Sequence, residues 1–227
     1  MGKKQRLVLA ALLVTVVGGF AWLVSSQLGT EPVYQGKPLN FWLKGFNGDT
    51  NSVATKAFRA MGTNAIPILI ERLRYKDPII KAKLLRLANR NSFYEFSFRR
   101  DSDINLEAAL ALRVLGEQAK TALPQLEQLA KSKDEDTAVN SLLAMSYMGT
   151  EAIVPLTSAL TNRSFYIQYA AIGALLDSPS VAIPEQRKAV ALSLSRLLAN
   201  SDASTREIIT NFLLKIDPEA AAKAGLR

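Results

Sequence analysis

The sequence predicts an all-α fold built from repeated helical hairpins, and three observations lead there. Between Leu106 and Lys131, apolar residues recur at helical spacing on both sides of a glycine. The pattern around that glycine returns before and after this stretch, as a repeat architecture requires. Nearly half of the 227 residues are hydrophobic while Gly and Pro are sparse, so the chain can bury a sizeable core.

The central unit reads LEAALALRVLGEQAKTALPQLEQLAK. Leu106, Ala109, Leu110, Ala111 and Val114 form its first apolar set, and Leu123, Leu126, Leu129 and Ala130 its second. Gly116 can adopt the left-handed conformation that ends a helix, and Pro124 suits the first turn of the next. Two antiparallel helices are expected. The segments Gly62-Thr-Asn-Ala65-Ile66-Pro-Ile-Leu69 and Gly149-Thr-Glu-Ala152-Ile153-Val-Pro-Leu156 share Gly, Thr, Ala, Ile and Leu at matching offsets, and Gly116 with Ala119 keeps the Gly-x-x-Ala part.

These segments resemble the HEAT-repeat family, and Ala119, Ala122, Pro124, Leu126 and Leu129 are similar to its A-x-x-A-x-P-x-L-x-x-L start of a second helix. The resemblance covers residues 39–227 and implies a right-handed α-solenoid of about five HEAT-like helical hairpins, in which each hairpin buries its apolar face against its neighbours. One transmembrane helix is expected to precede it.

In chain order, residues 1–6 carry Lys3, Lys4 and Arg6 as a basic, cytoplasmic N-terminus, and Leu7 to Val24 is an uncharged apolar run. Its eighteen residues give about 27 Å of helix against a hydrocarbon core of about 30 Å. Residues 7–26 therefore read as a membrane anchor, N-terminus inside by the positive-inside rule, with the repeat domain outside the cytoplasm. The competing reading is a cleaved signal, because Val24-Ser25-Ser26 offers small residues to a peptidase, and it would give a secreted protein.

Residues 27–38 read as a linker. The Gly36-Lys37-x-Leu39-x-x-Trp42-Leu43 pattern is similar to one preceding extracytoplasmic HEAT arrays, so Leu39 to Leu43 is expected to be a capping helix, with Phe41 and Trp42 in the first core. Helices follow at Ser52–Met61, Ile66–Tyr75 and from Asp77-Pro78 onward, after which Tyr94, Phe96 and Phe98 at period two interrupt the pattern. Residues 88–102 are expected to be an insertion, and Asp101 or Asp103 is expected to cap a helix beginning at Ile104. Further helices are expected at Thr137–Met148, Ala152–Leu160, Ser164–Leu176, Pro184–Ala199, Thr205–Ile216 and Pro218–Ala224, the glycine being lost after Leu176.

The chain has neither Cys nor His, which removes disulfides, thiol nucleophiles, imidazole bases and nearly every zinc, haem or iron–sulfur site. No Gly-rich phosphate loop or Gly-x-Ser-x-Gly elbow is present, and no catalytic, cofactor or metal residues are expected. Charge is uneven: residues 71–100 hold nine Lys or Arg against three acids, while the whole chain carries +8. Arg72, Arg74, Lys76, Lys81, Arg90, Tyr94, Phe96, Phe98, Arg99 and Arg100 form the candidate binding surface, since cations beside aromatics suit an anionic partner. The same composition suits nucleic acid, but an extracytoplasmic domain would rarely meet it.

The resemblance implies a non-enzymatic, membrane-tethered scaffold or adaptor that binds a protein along the surface of its second helices. The alternatives are a basic module docking on anionic lipid or glycan and an accessory subunit of an enzyme complex.

Overall fold

The computed structural model describes residues 31–76, 101–199, 201–223 and 225. These residues fold as an all-α array with one short β-hairpin at its start. The hairpin pairs β1 (Val33–Tyr34) with β2 (Lys37–Pro38) in antiparallel register. Gln35 and Gly36 turn it with φ of 49° and 72°, as a two-residue hairpin requires. Part of the expected linker is thus folded. Tyr34 meets Trp42 edge-on at 5.9 Å, and the indole N–H donates to the Lys37 carbonyl at 3.3 Å.

Helix α1 (Leu39–Leu43) buries Leu39 and Leu43 rather than the expected Phe41, which is half exposed. The following loop is tied down twice. Gly45 N–H donates to Glu107 Oε1 at 2.8 Å, and Phe46 packs edge-on against Phe58 at 4.9 Å. Ser52 then caps α2 (Val53–Met61) by accepting from Thr55 N–H at 3.2 Å.

A recurrent bend separates each first helix from its second. Between α2 and α3 (Ile66–Leu73) it starts at Gly62 with φ 55° and ψ −138°. Between α4 (Asp101–Leu115) and α5 (Leu123–Ala130) it starts at Gly116 with φ 55° and runs through a 3₁₀ segment, Gly116–Ala122. Between α6 (Glu135–Met145) and α7 (Ile153–Ala159) it passes through Gly149, φ 91° and ψ −168°. After α8 (Phe165–Asp177), Ser178 takes the bend in an ordinary extended conformation, φ −75° and ψ 119°, so glycine is dispensable there. Helices α9 (Pro184–Leu198), α10 (Ala203–Ile216) and α11 (Pro218–Lys223) complete the described chain.

The first helices pack in sequence, α2 on α4, α4 on α6, α6 on α8 and α8 on α10. Each second helix leans on the next first helix: α3 on α4, α5 on α6, α7 on α8 and α9 on α10. The bends themselves stack, because a methyl added at Gly62 would lie 3.5 Å from Gln118 Oε1 and one at Gly116 would lie 3.1 Å from the Tyr147 carbonyl oxygen. Equivalent positions are equivalently buried. Ala65, Ala122 and Ala152, each just before a second helix, are at most 1% exposed, as are Leu69, Leu126 and Leu156, the fourth residue of each second helix; the middle unit is three residues longer between its glycine and its second helix.

Three expectations need correction. The apolar set expected on α4 is buried only in part: Ala109 and Ala111 are inaccessible, but Leu106 is 43% exposed and Leu110 and Val114 are partly buried, while Ala108 and Leu112, outside that set, are inaccessible. A helix flanked by α2, α3 and α6 needs small residues on several sides, so alanines rather than leucines mark its contacts. Secondly, α4 already includes Asp101 and Asp103 in its first turn, so neither is a cap before Ile104 and residues 101–102 do not belong to an insertion. The rest of the expected insertion lies outside the described residues. Thirdly, α6 begins at Glu135 rather than Thr137, because Asp134 is its cap and accepts from Thr137 N–H at 2.8 Å.

Among the described residues no helix is long and apolar enough to cross a membrane, and the run Leu7 to Val24 lies outside them.

Candidate interaction surface

Of the ten residues of the expected binding surface, Arg72, Arg74 and Lys76 lie at or just past the end of α3. Lys81, Arg90, Tyr94, Phe96, Phe98, Arg99 and Arg100 lie outside the described residues. Arg72 is half-buried and Arg74 exposed, where cations complement the helix C-terminus. The carbonyls of Arg72 and Tyr75 accept from the buried Asn105 side-chain amide at 2.8 and 3.0 Å, which closes the end of α3 onto α4. Lys76 pairs with Asp134 at 2.6 Å. Desolvation opposes ionisation of Asp134, but hydrogen bonds from Lys76 and Thr137 outweigh it and hold the carboxyl below its ordinary value. Lys76 is therefore engaged in joining the end of α3 to the start of α6.

A different surface emerges on the second helices. An open groove of about 420 Å³ separates α5 from α7, lined by Glu127, Lys131, Ser158, Thr161 and Arg163 among others. A second, of about 690 Å³, lies between α7 and α9 and includes Val154, Thr157, Gln168, Ser193 and Arg196. The two share Ser158 and Thr161 as lining residues, so they adjoin on either side of α7 and together make up the valley of the second helices.

The polar chemistry of the valley is one-sided. The Thr157 hydroxyl lies 2.9 Å from both the Ile153 and Val154 carbonyls, and those of Thr161 and Ser193 donate to Ser158 and Ala189 carbonyls, each at 2.9 Å. Gln168 Nε2 donates to the Asn162 carbonyl at 2.7 Å. With these protons directed into the protein's own backbone, the hydroxyl oxygens keep lone pairs for an incoming donor. Glu127, the one acid in the lining, is paired with Lys131 at 3.0 Å, whereas Arg163 and Arg196 form no ion pair among the described residues.

The first helices offer an aromatic surface. Helix α8 reads FYIQYAAIGALLD and lacks a polar face, so its apolar residues exceed what the core can accept. Tyr166 is 68% and Tyr169 56% exposed, and Phe165 stacks on Tyr169 with centroids 6.2 Å apart. Tyr169, Gly173 and Leu176 line a groove of about 310 Å³ against Ile208, Asn211 and Lys215 of α10. Nearby, Arg113 reaches Asp177 at 3.0 Å and stands 4.7 Å over the Tyr147 ring, linking the ends of α4 and α8 across the end of α6.

Sequence reasoning missed Arg163, Arg196, Tyr166 and Tyr169. For the tyrosines a signal existed in the absence of a polar face on α8. For the arginines none did, since each is an isolated cation whose meaning comes from the neighbouring second helix. Among the described residues no group of three or more acids gathers as a metal site. No protein-family model matches the chain, and no curated protein matches it.

Proposed function

We propose that the protein is a HEAT-like α-solenoid, tethered to a membrane through residues 7–26 with its array outside the cytoplasm, that binds a protein partner across the face of its second helices. The stacked glycine bends and the alanines and leucines buried at matching positions about the start of each second helix support the repeat reading. The observation that carries the binding reading is the pair of adjoining grooves beside α5, α7 and α9, which no described element fills. Binding rather than catalysis also fits a sequence without Cys or His. The basic residues of the sequence argument contribute less, because Lys76 already has Asp134 as a partner.

A photo-reactive residue placed at Ser158 in the full chain, in intact cells, tests this. A discrete crosslinked protein is expected there, with no adduct from the same residue at Lys44, far along the chain. Absence of any adduct at Ser158, with the protein present at normal abundance, would overturn the scaffold reading. The exposed tyrosines of α8 favour a second contact on the first-helix side, since Tyr is a residue on which interfaces concentrate energy.

A further inference from the structure

We infer that the occupant of the valley is an extended, acidic peptide segment of the partner, an inference that rests on the scaffold reading and deepens it. Two facts about the valley determine the chemistry. Its free cations, Arg163 and Arg196, stand in the two successive grooves and call for carboxylates, which guanidinium groups bind through paired hydrogen bonds. Its floor is rich in acceptors, because Thr157, Thr161 and Ser193 donate their protons to backbone carbonyls and Gln168 gives one of its two amide protons to Asn162.

An occupant must therefore bring donors for the floor and negative charge for the arginines. An extended peptide does both, since its backbone N–H groups are unsatisfied and its acidic side chains reach outward. A helical ligand keeps its backbone N–H groups for itself and leaves the floor unmatched. Phosphate and sulfate groups could pair with the arginines but bring no donors for the floor. Exposed Val154 and half-buried Leu197 add apolar contact in the second groove, which suits aliphatic residues between the acids.

The test uses the full chain in detergent micelles and a short fluorescein-labelled peptide of alternating Glu and Val, read by anisotropy. Binding is expected for this peptide and not for the version with Lys in place of Glu. Arg163→Glu with Arg196→Glu should weaken binding about tenfold or more, as expected for lost charge-assisted hydrogen bonds. Arg163→Gln with Arg196→Gln is the milder variant, should the reversal disturb folding.

Lys44→Glu with Lys56→Glu changes net charge equally at exposed sites just after α1 and within α2, and should leave affinity within about twofold. Thr161→Val, which removes an acceptor, should weaken the peptide severalfold. Equal losses from both charge reversals would show only a long-range field and overturn the inference. So would failure of the Glu peptide to bind, or binding of sulfated oligosaccharide or phosphatidylserine vesicles through Arg163 and Arg196 in its place. A crosslinked partner at Ser158 without peptide binding would reject the acidic segment and keep the scaffold. Peptide binding without any crosslinked partner would do the reverse.

Discussion

Gly149→Ala probes the bend between α6 and α7. At φ 91° and ψ −168° the backbone lies in a region that only glycine visits readily, so any side chain there is strained by about 1–3 kcal/mol. The new methyl also lies 2.8 Å from Lys120 Cε and 3.1 Å from Glu151 Oε2. Lys120 is a flexible side chain and can withdraw. It would then surrender its contact with Glu151 at 3.2 Å, the hydrogen bond that chiefly raises its own pKa. Crowding is thus cheap to relieve and backbone strain is not, which assigns most of the loss to conformation. Urea unfolding of the full chain in detergent should show destabilisation by about 1–3 kcal/mol, nearly unchanged when Lys120 is also Ala. Gly173→Ala supplies the opposite sign: it lies inside α8 with nothing within 4 Å of the added methyl, and should stabilise by about 0.5–1 kcal/mol. A Gly149→Ala loss below about 0.5 kcal/mol, or one fully relieved by Lys120→Ala, would refute the conformational argument.

Two further predictions concern the joints of the array. Asp134→Ala removes the cap of α6 and the partner of Lys76 together, and should cost about 1 kcal/mol in denaturant unfolding. The folded Asp134 carboxyl has a depressed pKa, so its contribution is complete above the ordinary carboxylate value and disappears as pH falls through the folded value. Asp134→Asn, which keeps a capping oxygen, should match the parent at acid pH and fall below it near neutrality; a constant difference across the range would count against the linkage. Ala109→Leu should cost about 1–3 kcal/mol, because Ala109 is inaccessible in a helix flanked by α2, α3 and α6, whereas exposed Gln128→Ala should stay within about 0.5 kcal/mol. Equal unfolding midpoints would contradict the burial of the small-residue side of α4.

Helix positions were legible in the sequence because their punctuation is local. Gly62, Gly116 and Gly149 mark bends that all have positive φ, and the alanine just before each following helix and the leucine at its fourth position are buried. Two kinds of feature were not legible. Contacts between distant segments, such as Gly45 with Glu107 or Asn105 with Arg72, leave no spacing that a single sequence reveals. Burial of α4 was misread for a physical reason: hydrophobic periodicity finds the side with the largest side chains, while close helix packing selects the smallest. Ala109 and Ala111 were legible and are inaccessible, but Leu106 and Leu110, expected beside them, are more exposed than Ala108, which the pattern left out. The same reasoning explains why α8 stands out only once folded. Ala171 and Ala174 face neighbouring helices, which leaves Tyr166, Tyr169 and Leu176 on the outside. Large apolar residues displaced outward by alanines at the crossings are where an array of closely packed helices acquires sticky surface without loosening its core.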